Sequence, residues 1–339
     1  IEADLLRIFA GFAVVLIHVT DLFLLQKNLV GGASWFVLDV LNILGKVAVP
    51  FFIMLSGFLL LHKEKQHGIK EFYVRRVKRI TVPFIVWVSI YFWWMAFWGK
   101  YTVTVAFIIS SIFSASILHL YFIPIIAGLY IIAPLLWKYI FFNPRYIQYV
   151  ITTFFLLLGI GCQIISQYFP WFNLEHSIFT IFIPYIGYFL VGGLVRDLKT
   201  TPIKTVFISI LFASTFIITV LLRGEEVNSS AVAYLSPGIV IFSICLFVLL
   251  KKIFSLFIFL SKKTISVIRL ISSTIFGIFL VHIIIRDMLG VLPIFNPYKI
   301  QSPILLFVLL YVCIVFMLSF GIVAIVRKVP YLNAIFGSL

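Results

Sequence analysis

Residues 4–25 read DLLRIFAGFAVVLIHVTDLFLL, and the length of this apolar run decides the class of fold. A helix of about 20 apolar residues is needed to cross the hydrocarbon of a bilayer. A secretory signal has a shorter apolar region that ends at a small-residue cleavage site, and no such site follows here. We therefore interpret the run as a membrane-spanning helix that stays in the protein.

The composition of the whole chain agrees with this interpretation. Of its 339 residues, 63% are hydrophobic and 11% are charged, and the mean hydropathy is +1.20. A soluble domain carries about 25% charged residues, so this chain has too little polar surface for a soluble enzyme. Its three cysteines lie inside apolar runs, so we expect no disulfide framework and no metal site.

Ten apolar stretches are candidate spans. They are residues 5–25, 41–61, 80–98, 120–137, 146–166, 177–195, 203–222, 238–250, 272–289 and 303–326. We expect residues 102–118, which are apolar but rich in Ser and Thr, to form an interfacial or partly inserted helix. The sequence thus predicts an all-α polytopic membrane protein, with a single membrane-embedded domain over residues 1–339 and no appended soluble domain.

The net charge of +15 supports this topology. With the N-terminus in the cytoplasm, most of the 26 Lys and Arg residues fall in cytoplasmic segments, as the positive-inside rule requires. The exceptions are Lys27, Lys46, Lys100, Arg223, Arg286 and Lys299. Both termini are therefore predicted to be cytoplasmic, and the basic excess does not indicate a nucleic-acid partner. Residues 252–269 mix basic and apolar residues and predict an amphipathic helix on the inner leaflet.

The polar residues of the first span share one helical face, because they follow one another at intervals of three or four residues. The face comprises Asp4, Arg7, Gly11, Val14, His18 and Asp21. Arg7 and His18 are separated by about 16 Å along a helix. This distance places Arg7 at the cytoplasmic edge and His18 near the centre of the bilayer.

His18 is the strongest candidate for chemistry. A charge at that depth is costly, whereas a neutral imidazole is tolerated and is also what a general base requires. The alternative is a structural histidine that bonds to a facing carbonyl. Asp21 either orients the imidazole or is a hydrated residue at the outer end of the span. Gly11 lets a ligand or another part of the protein approach the backbone.

A basic cluster precedes the third span. Arg79 follows Arg75 by four residues and Arg76 by three, so several of their guanidinium groups can converge on phosphate oxygens. The alternative is an ordinary positive-inside loop. Other polar groups within or beside the spans either line a site or hold helices together. They are Ser56, His119, Tyr121, His282 and Arg286.

At these residues the chain resembles the integral-membrane acyltransferase family 3, whose members are bacterial multi-pass proteins. Arg7 and His18 match its motif of Arg, ten residues and His, and Arg76 and Arg79 match its Arg-x-x-Arg motif. Further matches are the run from Phe51 to Phe58, residues 120–134 and residues 277–282. Phe58 and Phe279 stand where members often have Tyr, so a hydroxyl contact is missing there.

The resemblance implies an enzyme of the bacterial plasma membrane that O-acylates a cell-surface polysaccharide or a related glycolipid. Its donor would be cytoplasmic acyl-CoA, most often acetyl-CoA, and it would use no metal. Arg7, Arg75, Arg76, Arg79, Gly11 and Ser56 would bind this donor. His18 would be the base and Asp21 its catalytic partner, with Asp4, His119, Tyr121, His282 and Arg286 lining the site.

The sequence leaves other points open. It does not decide between direct transfer and an acyl-enzyme intermediate, or between a monomer and a homodimer. The alternative function is an exporter of polysaccharide or lipid-linked sugar, in which the polar face of the first span lines a transport path without acyl transfer.

Overall fold

The computed structural model describes residues 1–24, 32–61, 68–98, 102–140, 142–169, 171–223, 230–295 and 304–337. Within these ranges the chain is α-helical with short 3-10 turns and has no β-strand, which confirms the predicted fold class. Three of the basic residues outside the predicted cytoplasmic segments, Lys27, Lys100 and Lys299, lie outside the described residues.

Twelve α-helices occur in the described part of the chain. They are α1 (Glu2–Leu24), α2 (Ala33–Gly45), α3 (Ala48–Leu60), α4 (Ile69–Phe97), α5 (Val105–Phe113), α6 (Phe122–Ile140), α7 (Arg145–Tyr168), α8 (Ile186–Arg196), α9 (Pro202–Leu222), α10 (Pro237–Ser255), α11 (Lys262–Gly290) and α12 (Ile304–Val326). Nine segments of this part are long and apolar enough to cross a membrane, and Ile183–Arg196 is a shorter apolar segment.

Several helices begin at a capping residue that the sequence shows. Thr201 and Ser236 accept hydrogen bonds from the backbone N–H groups at the starts of α9 and α10, and each is followed by a proline. Ser261 caps α11 in the same way. A hydroxyl at the N-cap and a proline at the first helical position are favoured because they leave fewer backbone N–H groups unsatisfied.

The segment between α10 and α11 differs from its prediction. No separate amphipathic helix forms there: Lys252 belongs to the last turn of α10, and Lys262 begins α11. A 3-10 turn, Phe257–Phe259, connects the two helices. The prediction was wrong because basic residues at the ends of two long helices give the same local pattern as a short amphipathic helix.

The chain divides into two compact units. The first unit comprises Ile1–Phe52 and Lys199–Val326, and the second comprises Ile53–Leu198 and Arg327–Leu339. In the first unit α1 contacts α2, α10, α11 and α12, so the helix with the polar face has neighbours on several sides. The prediction of a single domain stays a prediction.

In the second unit, α8 brings the chain back to the level at which α7 begins. Asp197, directly after α8, forms an ion pair of 2.8 Å with Arg145 at the start of α7. The 24 residues of α7 therefore lead away from this level, and the short helix α8 leads back to it. The predicted sixth span over residues 177–195 contains this short helix, and its crossing of the membrane stays a prediction.

Candidate active site

The N-terminal end of α1 carries a hydrogen-bonded charge pair. Nη1 of Arg7 donates to Oγ of Ser272 at 2.8 Å, and the Ser272 hydroxyl donates to Oδ1 of Asp4 at 2.7 Å. Arg7 and Asp4 also approach to 3.5 Å, and 31% of the Arg7 side chain remains exposed. Arg7 is therefore oriented by α11 yet accessible to an anionic ligand.

The middle of the predicted polar face is covered. A Cβ atom on Gly11 would lie 2.8 Å from both Cδ1 and Cγ2 of Ile275, and Val14 is buried. The group that approaches the Gly11 backbone is thus a side chain of α11. Arg7 and His18 form two accessible ends of the face, and the side chain of Ile275 lies between these ends.

His18 and Asp21 lie together, as predicted. Nδ1 of His18 is 3.6 Å from Oδ2 of Asp21, and 24% of the His18 side chain is exposed. The other carboxylate oxygen, Oδ1, accepts a hydrogen bond of 2.8 Å from the amide of Asn42 on α2. Catalytic hydrogen bonds often shorten only when substrate binds, so an approach of 3.6 Å fits a carboxylate that orients an imidazole.

A second imidazole lies beside the first. The rings of His18 and His282 have centroids 5.2 Å apart. Nδ1 of His282 lies 2.8 Å from the carbonyl oxygen of Phe279 and 3.1 Å from that of Ile278. A carbonyl only accepts, so Nδ1 carries the proton and Nε2 of the neutral ring is the basic nitrogen. His282 is fully buried.

Arg286 holds the backbone at His18. Its Nη1 donates to the carbonyl oxygen of His18 at 2.9 Å, and its Nε and Nη2 donate to Asp287. The hydroxyl of Tyr311 on α12 donates to the carbonyl of Arg286 at 2.7 Å. These bonds join α1, α11 and α12 at the level of the two histidines.

The arginines before the third predicted span lie in the second unit, and each has different surroundings. Arg75 forms an ion pair with Glu71, one turn earlier on α4. The guanidinium of Arg76 lies over the ring of Tyr130 at 5.0 Å. Arg79 is exposed, and burial together with the positive charge of Arg79 lowers the pKa of Arg327. Arg79 and Arg327 therefore carry positive charges that interact with each other, and the convergence of the three arginines stays a prediction.

The remaining predicted site residues also lie in the second unit. His119 is buried with its ring edge-on to that of Tyr91, at a centroid distance of 5.0 Å. Tyr121 ends the 3-10 turn that begins at Leu118, a residue with a left-handed φ of 42°. Ser56 is half-buried on α3. Of the predicted site residues, the structure brings Asp4 and Arg7 together at one end of α1, and His18, Asp21, His282 and Arg286 at the other.

A protein-family model described as an acyltransferase domain matches residues 1–325, which is nearly the whole chain. The chain belongs to this acyltransferase family. The match confirms the resemblance that the spacing of Arg7 and His18 indicated. No curated protein and no solved structure matches the chain.

Membership makes the protein a multi-pass membrane acyltransferase. The roles of individual residues in this acyltransferase stay predictions, because the family match is a property of the whole chain. The structure adds the information on which of these residues are neighbours within each unit.

Sequence reasoning missed three polar residues that contact or face the predicted ones. Ser272 bonds to Arg7 and Asp4, Asn42 bonds to Asp21, and Lys46 interacts electrostatically with Asp21. Asn42 and Lys46 are polar residues within the second predicted span and could have been noticed for that reason. The contact of Ser272 could not have been noticed in the sequence, because Ser272 lies 265 residues from Arg7 along the chain.

Proposed function

We propose that this acyltransferase moves an acetyl group from cytoplasmic acetyl-CoA to a hydroxyl group of an extracytoplasmic glycan or glycolipid at the bacterial plasma membrane. The observation that carries the proposal is the arrangement at His18. A partly exposed imidazole within a spanning helix has a carboxylate at its Nδ1 side and a second imidazole against its ring.

The arrangement fits general-base catalysis. With Nδ1–H directed at Asp21, Nε2 of His18 takes the proton of the acceptor hydroxyl while that oxygen attacks the carbonyl carbon of the thioester. The carbon–sulfur bond breaks, and the proton passes from His18 to the departing thiolate. The products are an ester and coenzyme A, and His18 returns to its neutral form without an external proton.

The same residues also fit a two-step route. Nε2 of His18 attacks the thioester carbonyl, the carbon–sulfur bond breaks, and coenzyme A leaves as the thiolate from an acetylated imidazolium. The acceptor hydroxyl then attacks the acetyl group, the carbon–nitrogen bond breaks, and the hydroxyl proton neutralises the thiolate. Rapid mixing with labelled acetyl-CoA in the absence of acceptor distinguishes the routes. The two-step route predicts a protein-bound label that an acceptor removes.

The donor is elongated and anionic, and Arg7 supplies a matching charge. Arg7 is about 16 Å from His18 along α1, it is partly exposed, and its guanidinium suits phosphate oxygens. An arm that follows this face past Gly11 displaces the side chain of Ile275. The role of Arg75, Arg76, Arg79 and Ser56 in donor binding stays a prediction of the sequence.

The test uses purified protein in lipid nanodiscs. We expect it to release coenzyme A from acetyl-CoA slowly alone, and faster with a cell-envelope glycan fraction that becomes labelled. His18→Ala should abolish both reactions, whereas the same change at the exposed His176 should leave the release of coenzyme A unchanged. Normal turnover by His18→Ala would refute the role of His18, and glycan transport without consumption of acetyl-CoA would favour the exporter.

The proposed role of Arg7 has its own measurement. We expect Arg7→Ala to raise the KM for acetyl-CoA about tenfold, because a lost charge-assisted hydrogen bond is worth roughly 1.5–3 kcal/mol. The control is Arg269→Ala, which removes a basic side chain from an exposed position on α11. An unchanged KM in Arg7→Ala would show that the phosphates bind elsewhere.

A further inference from the structure

The second membrane-spanning segment of the structure is broken near its centre. Ala33–Leu60 is long and apolar enough to cross the membrane, but α2 ends at Gly45 and α3 begins at Ala48. Lys46 lies at the break, with thirteen helical residues on each side. A lysine is thus placed near the middle of a membrane-spanning segment, where ionisable residues are costly and usually functional.

The break lies against α1 beside His18. A Cβ atom on Gly45 would lie 2.9 Å from Cβ and 3.0 Å from the backbone nitrogen of Ile17, so the two helices touch there. One turn earlier, the amide of Asn42 donates to Oδ1 of Asp21 and to the hydroxyl of Thr20. The segment that carries Lys46 is therefore packed on the turn of α1 that holds His18 and Asp21.

Lys46 follows Asn42 by one helical turn, and its backbone N–H donates to the carbonyl oxygen of Asn42 at 3.0 Å, so both side chains leave α2 on the face that meets Asp21. Its Nζ lies 5.4 Å from the centre of the Tyr234 ring, and its charge interacts with that of Asp21. The Asp21 side chain is 38% exposed and also faces His18 and Asn42. Lys46 adds a positive charge to this group from the middle of the broken span.

We propose that Lys46 is a positioning residue for the reaction at His18: its positive charge strengthens Asp21 as the acceptor of the hydrogen bond from Nδ1–H, which leaves Nε2 as the base. This inference rests on the proposed function. A protonated Asp21 would instead donate to Nδ1 of His18, and the proton-bearing Nε2 would then face the hydroxyl. Lys46 acts through Asp21 and keeps its charge throughout the reaction.

The first experiment compares Lys46→Met with Lys46→Arg. We expect Lys46→Met to lower the kcat of acetyl-CoA hydrolysis at least about tenfold, since a positioned general base contributes 10²–10⁴-fold. The KM for acetyl-CoA should stay within about twofold, which also shows that the variant is folded. Lys46→Arg restores the charge and should restore most of the rate. Lys204→Met, which removes an exposed lysine from the start of α9, is the matched control.

A double-mutant cycle separates this role from a structural one. In an Asp21→Asn background the carboxylate is absent, so Lys46→Met should cause no further loss of kcat. A lysine that only holds α2 against its neighbours would cause the same loss in both backgrounds and would not be rescued by arginine. Either that result or a normal kcat in Lys46→Met would overturn the inference.

The proposed function fails by a different result. If the wild-type protein neither transfers nor hydrolyses the acetyl group of acetyl-CoA, the reaction itself is wrong. If the wild type is active and His18→Ala is inactive, the proposed reaction is supported. The double-mutant cycle at Lys46 and Asp21 then tests the role of Lys46 separately.

Discussion

His282 gains a defined tautomer from its own helix. Because its Nδ1 donates to the carbonyl oxygens of Ile278 and Phe279, the basic Nε2 is fixed by a bond that any helical histidine with this rotamer can make. The packing of α11 on α1 then places this ring beside that of His18. His282 is therefore a candidate for catalysis, because a bond within its own helix fixes its tautomer and the packing of α11 on α1 places it beside His18.

Replacement of His282 tests this role. His282→Phe keeps an aromatic ring against His18 but removes the basic nitrogen, so we expect kcat to fall at least about tenfold while the KM for acetyl-CoA stays nearly constant. Steady-state release of coenzyme A measures both constants. Phe279→Leu, which alters the other side of the His282 ring, is the control. Full activity in His282→Phe would show that His282 only packs against its neighbours.

The sequence predicts the site only in part, and the reason is physical. Asp4, Arg7, His18 and Asp21 lie on one helix, and helical periodicity alone places them on one face. Asn42, Ser272 and His282 reach that face from other helices, so their contacts depend on which helices pack together. The burial of Gly11 under Ile275 has the same origin. Helical periodicity therefore predicts which residues share the polar face of α1, but not that Ile275 covers its middle.

At the scale of elements, helices α3 and α8 cross through two glycines. A Cβ atom on Gly57 would lie 1.8 Å from the carbonyl oxygen of Phe189, and one on Gly192 would lie 1.8 Å from that of Met54. Without a hydrophobic force between helices in lipid, close backbone contact through small residues is a main source of association. The crossing therefore depends on these two positions.

A single methyl group should disrupt this crossing. We expect Gly57→Ala to destabilise the protein by about 1–3 kcal/mol or more, because the atom that it meets is backbone and cannot rotate away. Gly161→Ala on α7 adds the same methyl group where nothing lies within 4 Å, and should leave stability unchanged or raise it by roughly 0.5–1 kcal/mol. Thermal unfolding in detergent compares the two, and equal effects would contradict the crossing.

Hydropathy predicted where the elements lie better than where they break. Ten apolar stretches correspond to nine long segments and one short helix, because span length follows from bilayer thickness. The break at Lys46 was not predicted, although Pro50 in the first turn of α3 has no backbone N–H to donate to the carbonyl of Lys46 and is a signal for such a break. The extension of α10 and α11 by basic residues was missed because local periodicity does not tell where a helix ends.

At the scale of the molecule, the charges inside the first unit are balanced in pairs. Arg7 lies by Asp4, Lys46 by Asp21 and Arg286 by Asp287, and the buried Arg223 forms an ion pair with Asp39. A buried pair contributes little to stability over apolar residues, but removal of one partner leaves an uncompensated charge and costs about 3–5 kcal/mol. The basic excess of the chain therefore lies mainly outside these pairs, in the segments predicted to be cytoplasmic.

The short helix α8 decides on which side of the membrane α9 begins. The Arg145–Asp197 ion pair places the end of α8 at the level at which α7 begins, and four long apolar segments follow in the described part of the chain. We expect alkaline phosphatase fused after Trp171 to be active, since this enzyme works only outside the cytoplasm, and fusions after Lys199 or Gly337 to be inactive. A fluorescent protein fused at the same three sites should give the opposite pattern. Active phosphatase after both Trp171 and Lys199 would show that α8 turns back within the membrane.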